Sequence, residues 1–234
     1  MGYTLLLDFD GVMLSNSKLN DMISSNCNRF FSKKTGLPLH EASAINRTYY
    51  KKYGHTLNLL NKRMLKDTNV FIDEFNESVY DADTLRSIKY NLEPKDILEF
   101  QDWKRTISQL DADHVIVYSN APSTWLHECL NALGNASRSC ILFDEVVSVP
   151  ETNGGLFKPS HEVYDSIEST LSSQKIMFID DSIDNLPIHR PSWTNVLYGT
   201  DVYSPDYISV ETPSELLFKM KQTRPHRKLA QLLR

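Results

Sequence analysis

The sequence predicts an α/β protein: a doubly wound, Rossmann-like parallel sheet with a helical cap inserted after the first strand. Short apolar runs recur along the chain, acidic or small residues follow these runs, and helical patterns separate most of them. Strands that alternate with helices in this way form parallel sheets with right-handed crossovers. The length of 234 residues allows one or two domains at ~150 residues each.

Four segments are predicted strands that end in loops. Each is a short apolar run, which is typical of a strand buried on both faces of a parallel sheet. The segments are residues 4–11, 114–119, 174–181 and, more weakly, 194–199. Helical spacing over residues 123–133 and 160–171 supplies two of the crossovers.

Residues 17–98 interrupt this alternation and predict the cap. The segment lacks β-branched runs and shows helical spacing, as in Ile45, Tyr49 and Tyr53. We therefore expect a core domain of residues 1–16 plus 99–234 and a helical cap domain of residues 17–98. A cap of this kind would face the sheet domain across a cleft.

Composition excludes several classes of partner. A formal net charge of −5 and a pI near 5.8 disfavour binding to a nucleic acid polymer, which needs a basic surface. No run of about 18 apolar residues predicts a membrane span. Three cysteines, an odd number, without a secretory signal predict reduced thiols and a cytoplasmic protein. A small ligand is the expected partner, and a monomer and a homodimer both remain open.

Polar side chains gather where the predicted strands end, and this predicts a site. In an open parallel sheet, ligands bind at the carboxyl ends of the strands. Four crowded carboxylates repel one another unless a metal or a shifted proton relieves the charge. Oxygen ligands without histidine or cysteine favour Mg²⁺ over zinc, and Lys158 would add a cation for an anionic substrate. The residues at the strand ends are Asp8, Asp10, Ser119, Asn120, Asp180 and Asp181.

These residues, taken in order, resemble a known family. The stretches 8–12, 119–120, 158–159 and 180–185 are similar to the four motifs of the haloacid dehalogenase (HAD) superfamily of phosphohydrolases. The resemblance covers roughly residues 1–15 and 100–200. It implies a phosphatase of small phosphorylated metabolites that uses Mg²⁺ and an aspartyl-phosphate intermediate. The acid at Asp10 favours phosphoryl transfer over carbon–halogen chemistry.

The resemblance also implies roles for single residues in the reaction. Asp8 would be the nucleophile, and Asp10 would protonate the leaving oxygen and then activate water. Ser119 and Asn120 would bind the phosphoryl group, and Lys158 would offset charge on both Asp8 and the phosphate. Taken alone, Ser119 and Asn120 would more simply cap the next helix, and Lys158 would more simply lie in a solvated loop.

The metal ligands follow from the same resemblance. Asp181 would ligate Mg²⁺ beside a carboxylate oxygen of Asp8 and the backbone carbonyl of Asp10. Asp180 would lie next to this set and is grouped with the metal residues. Asp184 and Asn185 would support the loop and Lys158, although a turn role for Asp184 is about as well supported.

The cap narrows the expected substrate. Residues 49–60 and 71–81 look like the helical cap of pyrimidine 5′-nucleotidase-type members, which implies nucleoside monophosphates and a substrate contact from Tyr53. The chain departs from that subgroup directly after Asp10. The aromatic side chains of this region, Tyr49, Tyr50, Tyr53 and Phe75, fit either a substrate-facing wall or packing inside the cap.

Two rival functions stay open at this point. One is a sugar-phosphate phosphatase or phosphomutase on the same core. The other is a catalytically idle protein that uses the phosphate site for binding or scaffolding. The presence of Asp8 and Asp10 together argues against the idle protein, since binding alone requires neither a nucleophile nor an acid.

Overall fold

The computed structural model describes residues 2–53, 55–60, 72–135, 142–171 and 175–223, of which 49, 51–53 and 135 are described by their backbone only. The strands in this part of the chain are β1 (Thr4–Leu7), β2 (His114–Ser119), β3 (Glu145–Ser148), β4 (Ile176–Asp180), β5 (Trp193–Tyr198) and β6 (Ile208–Val210). Together they form one six-stranded, fully parallel sheet in the order β3-β2-β1-β4-β5-β6. The predicted doubly wound α/β fold is confirmed.

Most helices in the described part of the chain lie on either side of this sheet or in the insertion. In chain order they are α1 (Ser17–Thr35), α2 (Leu39–Tyr53), α3 (Thr56–Leu59), α4 (Ile72–Val79), α5 (Ala82–Asn91), α6 (Pro94–Leu110), α7 (Ser123–Leu130), α8 (Val149–Thr152), α9 (His161–Thr170) and α10 (Pro213–Thr223). The first six lie between β1 and β2, where the sequence predicted a helical insertion. No helix in the described ranges combines the length and the apolar character needed to cross a membrane.

The order of the strands reverses beside β1. This strand pairs with β2 on one side and with β4 on the other, so Leu7 lies between Val117 and Ile179. The two crossovers leave in opposite directions, which opens a crevice at the carboxyl ends of β1 and β4. Residues that directly follow these two strands therefore meet in that crevice.

Both faces of the sheet are covered, which explains the continuous apolar runs. Leu5 and Leu7 pack into one cluster with Trp103 of α6, whereas Leu6 packs into another with Tyr164 of α9 and Phe178. Side chains alternate between the two faces of a strand, so a strand covered by helices on both faces needs apolar residues throughout.

A third apolar cluster lies within the insertion. It contains Phe31 of α1 and Phe75 of α4, and Phe157 joins it from the segment before α9. Helix α6 instead packs on the sheet through Phe100 and Trp103. The division at residues 16/17 and 98/99 stays a prediction, and its second boundary falls within α6.

The sequence missed two strands, β3 and β6. They have four and three residues, lie at the two edges of the sheet, and contain exposed or half-buried positions. Runs this short carry little periodicity, so pairing with the neighbouring strand defines them.

Candidate active site

One buried ammonium group connects the ends of β1 and β4. Lys158 Nζ lies 3.0 Å from Asp8 Oδ1 and 2.7 Å from Asp180 Oδ2. Asp8 directly follows β1, Asp180 ends β4, and Lys158 reaches both from the segment between α8 and α9. Lys158 and Asp180 are 0% exposed, and Asp8 is 7% exposed. The structure thus brings together three of the predicted residues.

The carboxylate of Asp180 is held by several further donors. The Ser182 backbone N–H donates to Oδ1 over 2.9 Å, and the Asn185 amide donates to Oδ1 and Oδ2 over 3.0 and 3.1 Å. With Lys158 also donating to Oδ2, this carboxylate is occupied by protein groups. Asp180 is therefore better suited to orienting Lys158 than to binding a ligand.

Asn120 and Ser119 face the same crevice from the end of β2. Asn120 Oδ1 accepts from the backbone N–H of Lys158 over 2.9 Å, and its Nδ2 donates to the Lys158 carbonyl over 3.1 Å. This pair of bonds holds the Lys158 backbone in place. Ser119 Oγ accepts from the Ala121 N–H over 3.2 Å, which leaves its own hydroxyl hydrogen available as a donor.

Asp10 is held by a tryptophan that sequence reasoning did not select. The Trp125 indole N–H donates to Asp10 Oδ1 over 3.0 Å. Trp125 is 1% exposed, and its ring packs against Tyr80 with centroids 5.5 Å apart. Both aromatic residues line the cavity in front of Asp8. A tryptophan in an amphipathic helix resembles an ordinary core residue, so no sequence signal marked it.

Three carboxylates form a cluster that fits a hard cation. Oxygens of Asp8, Asp180 and Asp181 all lie within 4.8 Å of one another. Gly11 makes room for Asp181: a Cβ at Gly11 would lie 2.1 Å from Asp181 Oδ2, and the glycine has φ +89°. Clustered carboxylate oxygens suit Mg²⁺, and this donor set contains no soft ligand.

Burial shifts the acid–base behaviour of the site. Desolvation raises the pKa of Asp8 well above its usual range; Lys158 opposes this shift, and the neighbouring acids add to it. Desolvation also raises the pKa of Asp10 to about 6, against the hydrogen bond from Trp125. Partial burial and then the charge of Asp180 raise the pKa of Asp181 to about 6. Burial alone would lower the pKa of Lys158, but Asp180 and Asp8 more than reverse this and raise it.

A cavity of about 730 Å³ lies in front of these groups. Its floor is formed by residues at the strand ends and its opposite wall by α1, α2 and the start of α3. The wall residues are mostly neutral and polar, with one arginine and two apolar side chains among them: Asn20, Ile23, Ser24, Cys27, Asn28, Asn46, Arg47, Tyr50, His55 and Thr56. The volume lies in the range of small-molecule sites, ~300–1,000 Å³.

Solved structures with a similar fold match nearly the whole chain. A HAD phosphatase from Thermococcus onnurineus is 17% identical with a TM-score of 0.55, covering 96% of this chain and 99% of that one. CbbY from Rhodobacter sphaeroides, in complex with phosphate, is 13% identical with a TM-score of 0.57, covering 92% and 96%. The HAD-hydrolase candidate YfnB from Bacillus subtilis, bound to magnesium, is 18% identical with a TM-score of 0.51, covering 94% and 99%.

The chain has the HAD fold. No protein-family model and no curated protein sequence matches it. At these identities the likeness shows the fold alone, and the chemistry depends on the residues at the site.

Within this HAD fold, the aromatic residues of the insertion have different surroundings. Tyr50 lines the cavity and is 48% exposed. Phe75 is 1% exposed and packs edge-on against Phe30 and His55, at centroid distances of 5.2 and 4.8 Å, so it belongs to the interior of the insertion. The side chains of Tyr49 and Tyr53 lie outside the described residues, and the substrate contact of Tyr53 stays a prediction.

Proposed function

We propose that this chain is a Mg²⁺-dependent phosphatase of small phosphorylated metabolites that acts through an aspartyl-phosphate on Asp8. The observation that carries the proposal is the position of Asp8 at the β1/β4 crevice. There it is paired with buried Lys158, and a second acid, Asp10, borders the same cavity. Structures of the same fold include a HAD phosphatase, a phosphate complex and a magnesium complex, in agreement with this chemistry.

Asp8 and Asp181 are the side chains that would hold the magnesium ion, together with the backbone carbonyl of Asp10. Their clustered oxygens fit a hard cation, and Asp180 is already occupied by Lys158, Ser182 and Asn185. When bound, Mg²⁺ would neutralise charge that develops on the phosphoryl oxygens.

The protein groups account for each proton and bond of the reaction. A carboxylate oxygen of Asp8 attacks phosphorus while the bond to the leaving oxygen breaks, and Asp10 gives that oxygen a proton. Asp10 then takes a proton from the water that attacks the aspartyl-phosphate, which releases inorganic phosphate and restores Asp8. The Lys158 ammonium offsets charge on Asp8 and the phosphate, and the Ser119 hydroxyl donates to a phosphoryl oxygen.

A nucleoside monophosphate is the proposed substrate class. The cavity has room for a ligand of this size, and the exposed ring of Tyr50 offers a surface on which a base can stack. Stacking on an aromatic ring is worth ~1–3 kcal/mol. The expected order is therefore a higher kcat/KM for a nucleoside monophosphate than for ribose 5-phosphate.

A sugar phosphate is the second candidate. The cavity wall opposite Asp8 carries amide and hydroxyl groups from Asn20, Ser24, Asn28 and Thr56. Such groups pair with sugar hydroxyls, so this observation favours a sugar-phosphate phosphatase or phosphomutase.

Phosphate release from a panel of phosphorylated metabolites with Mg²⁺ tests the proposal. Asp8→Asn should lower kcat by ~10⁴-fold or more, because a carboxamide is almost isosteric but a poor nucleophile. Asp206→Asn, the same change at an exposed position, is the control and should retain wild-type activity. Retention of more than about a tenth of the activity by Asp8→Asn would exclude the covalent mechanism. A sugar phosphate that outperforms every nucleotide would select the second candidate.

A further inference from the structure

The indole of Trp125 makes a contact that its place in the core does not require. Its Nε1–H donates to Asp10 Oδ1 over 3.0 Å, across 115 positions of sequence. Trp125 is the third residue of α7, is 1% exposed, and packs in the apolar cluster that covers one face of the sheet. The donor therefore has a fixed position relative to the end of β1.

We propose that Trp125 is a positioning residue for the general acid, an inference that rests on the proposed phosphatase function. An N–H donates more strongly to a carbonyl oxygen than to a hydroxyl oxygen, so the bond from Nε1 to Oδ1 favours the transferable proton of Asp10 on Oδ2. The indole thereby holds the carboxyl group in one rotamer and leaves Oδ2 to face the leaving oxygen. The proton passes from Oδ2 to that oxygen as the phosphorus–oxygen bond breaks.

Tyr80 shields this hydrogen bond from the side of the insertion. It lies between α4 and α5, and its ring packs against the Trp125 ring at 5.5 Å and 57°. Both rings border the cavity that contains Asp10. Shielding favours the bond, because water competes less with a buried donor and a partly buried acceptor.

Trp103 offers a matched comparison for a purely structural role. Its Nε1–H donates to the carbonyl of Val12 over 2.7 Å, and the side chain is 0% exposed. Each tryptophan thus anchors the loop after β1 through one indole hydrogen bond. Trp125 binds the acid itself, whereas Trp103 binds the backbone two residues further on.

The experiment compares two esters that differ in their need for an acid. 4-Nitrophenyl phosphate releases a stable phenolate, whereas 4-nitrobenzyl phosphate, of similar shape, releases an alkoxide that must be protonated. The measured quantity is kcat/KM, which covers the steps up to departure of the leaving group. For Trp125→Phe we expect a loss on the benzyl ester at least about tenfold larger than on the phenyl ester. This is part of the ~10²–10⁴-fold that a general acid contributes.

Trp103→Phe should reduce thermal stability and leave the ratio of the two kcat/KM values unchanged. Asp10→Asn should itself lower kcat/KM for the benzyl ester more than for the phenyl ester. Adding Trp125→Phe to Asp10→Asn should cause little further selective loss, because the indole acts through Asp10. Equal losses on both esters, or no loss, with Trp125→Phe would overturn the proposal. Additive selective losses in the double variant would also overturn the proposal. This comparison of kcat/KM ratios remains valid even if Trp125→Phe is less stable than wild type.

Failure of the phosphatase function itself has a different signature. In that case wild type and Asp8→Asn would release phosphate equally from the phenyl ester, or not at all, before any tryptophan variant is compared. The positioning role would then fall with the function. If wild type is active and Asp8→Asn is not, only the comparison of the two esters decides the role of Trp125.

Discussion

The ammonium of Lys158 lies 2.7 Å from a carboxylate oxygen of Asp180, and both side chains are closed to solvent. The same nitrogen is 3.0 Å from Asp8, so a single cation separates two carboxylates at the ends of adjacent strands. Two buried carboxyl groups share this one cation, so acidic groups outnumber basic groups at the site. The stability of the protein therefore depends on Lys158, and the site is suited to bind a further cation.

Replacement of this lysine should be costly. Lys158→Met removes the cation and leaves the carboxylates of Asp8 and Asp180 facing each other in a buried environment. Removing one partner of a buried ion pair typically costs ~3–5 kcal/mol. We expect a loss of about this size in the free energy of unfolding, measured in urea at pH 7. The double variant with Asp180→Asn should recover part of it, and a single variant as stable as wild type would contradict the interpretation.

Asp180 and Asp181 should differ in what they contribute. Asp181→Asn should raise the Mg²⁺ concentration needed for half-maximal activity by about tenfold or more, with little change in stability, because its carboxylate faces the cavity. Asp180→Asn should mainly reduce stability, because it removes the buried partner of Lys158. The measurements are Mg²⁺ titrations of activity after chelation and thermal unfolding of both variants. Full activity of wild type in excess EDTA would exclude the metal.

Gly11→Ala should disturb the metal site through a direct collision. The new Cβ would lie 2.1 Å from Asp181 Oδ2, so the carboxylate must move. We expect weaker activation by Mg²⁺ together with some loss of stability from the positive φ of +89°. Gly36→Ala is the control, because Gly36 has φ +70° and an alanine Cβ there would meet no atom of the described residues within 4 Å. Gly36→Ala should lose stability without a change in Mg²⁺ activation. If it weakened Mg²⁺ activation as much as Gly11→Ala does, the collision would be excluded as the cause.

His55 should make the protein less stable in acid. Its ring stacks on Phe157 with centroids 3.8 Å apart, its Nδ1 accepts from the Leu57 N–H, and desolvation lowers its pKa from 6.5 to about 3. Between these values the unfolded state binds the proton and the folded state does not, so stability falls as pH falls. At pH 5 this histidine should cost about 2 kcal/mol relative to neutral pH, at 1.36 kcal/mol per pKa unit.

The acids of the site change stability in the opposite direction over the same range. Their pKa values are raised, so the folded state takes up their protons first and gains stability as pH falls. His55→Asn keeps an acceptor for the Leu57 N–H. The acids of the site contribute equally to the stability of wild type and this variant, so the difference between the two proteins reports on His55. The variant should lack the acid-dependent loss in urea unfolding at pH 7 and pH 5. Identical pH slopes for the two proteins would contradict the assignment to His55.

Local patterns in the sequence determined the scaffold and part of the site. The continuous apolar runs of β1, β2 and β4 predicted strands because a parallel sheet covered on both faces needs apolar residues at successive positions. Asp8 and Asp180 were placed together because the carboxyl ends of parallel strands meet at one edge of the sheet. The two edge strands, β3 and β6, were too short to leave such a pattern.

The tertiary structure alone decided which groups touch. In the folded protein Trp125 donates a hydrogen bond to Asp10, and Asn120 is hydrogen-bonded to the backbone of Lys158. Phe75 lies in the interior of the insertion rather than in the cavity. Each of these outcomes depends on how helices and loops distant in sequence pack against the sheet. Hydrophobic periodicity reports which face of an element is buried, but it carries no information about the partner that the buried face meets.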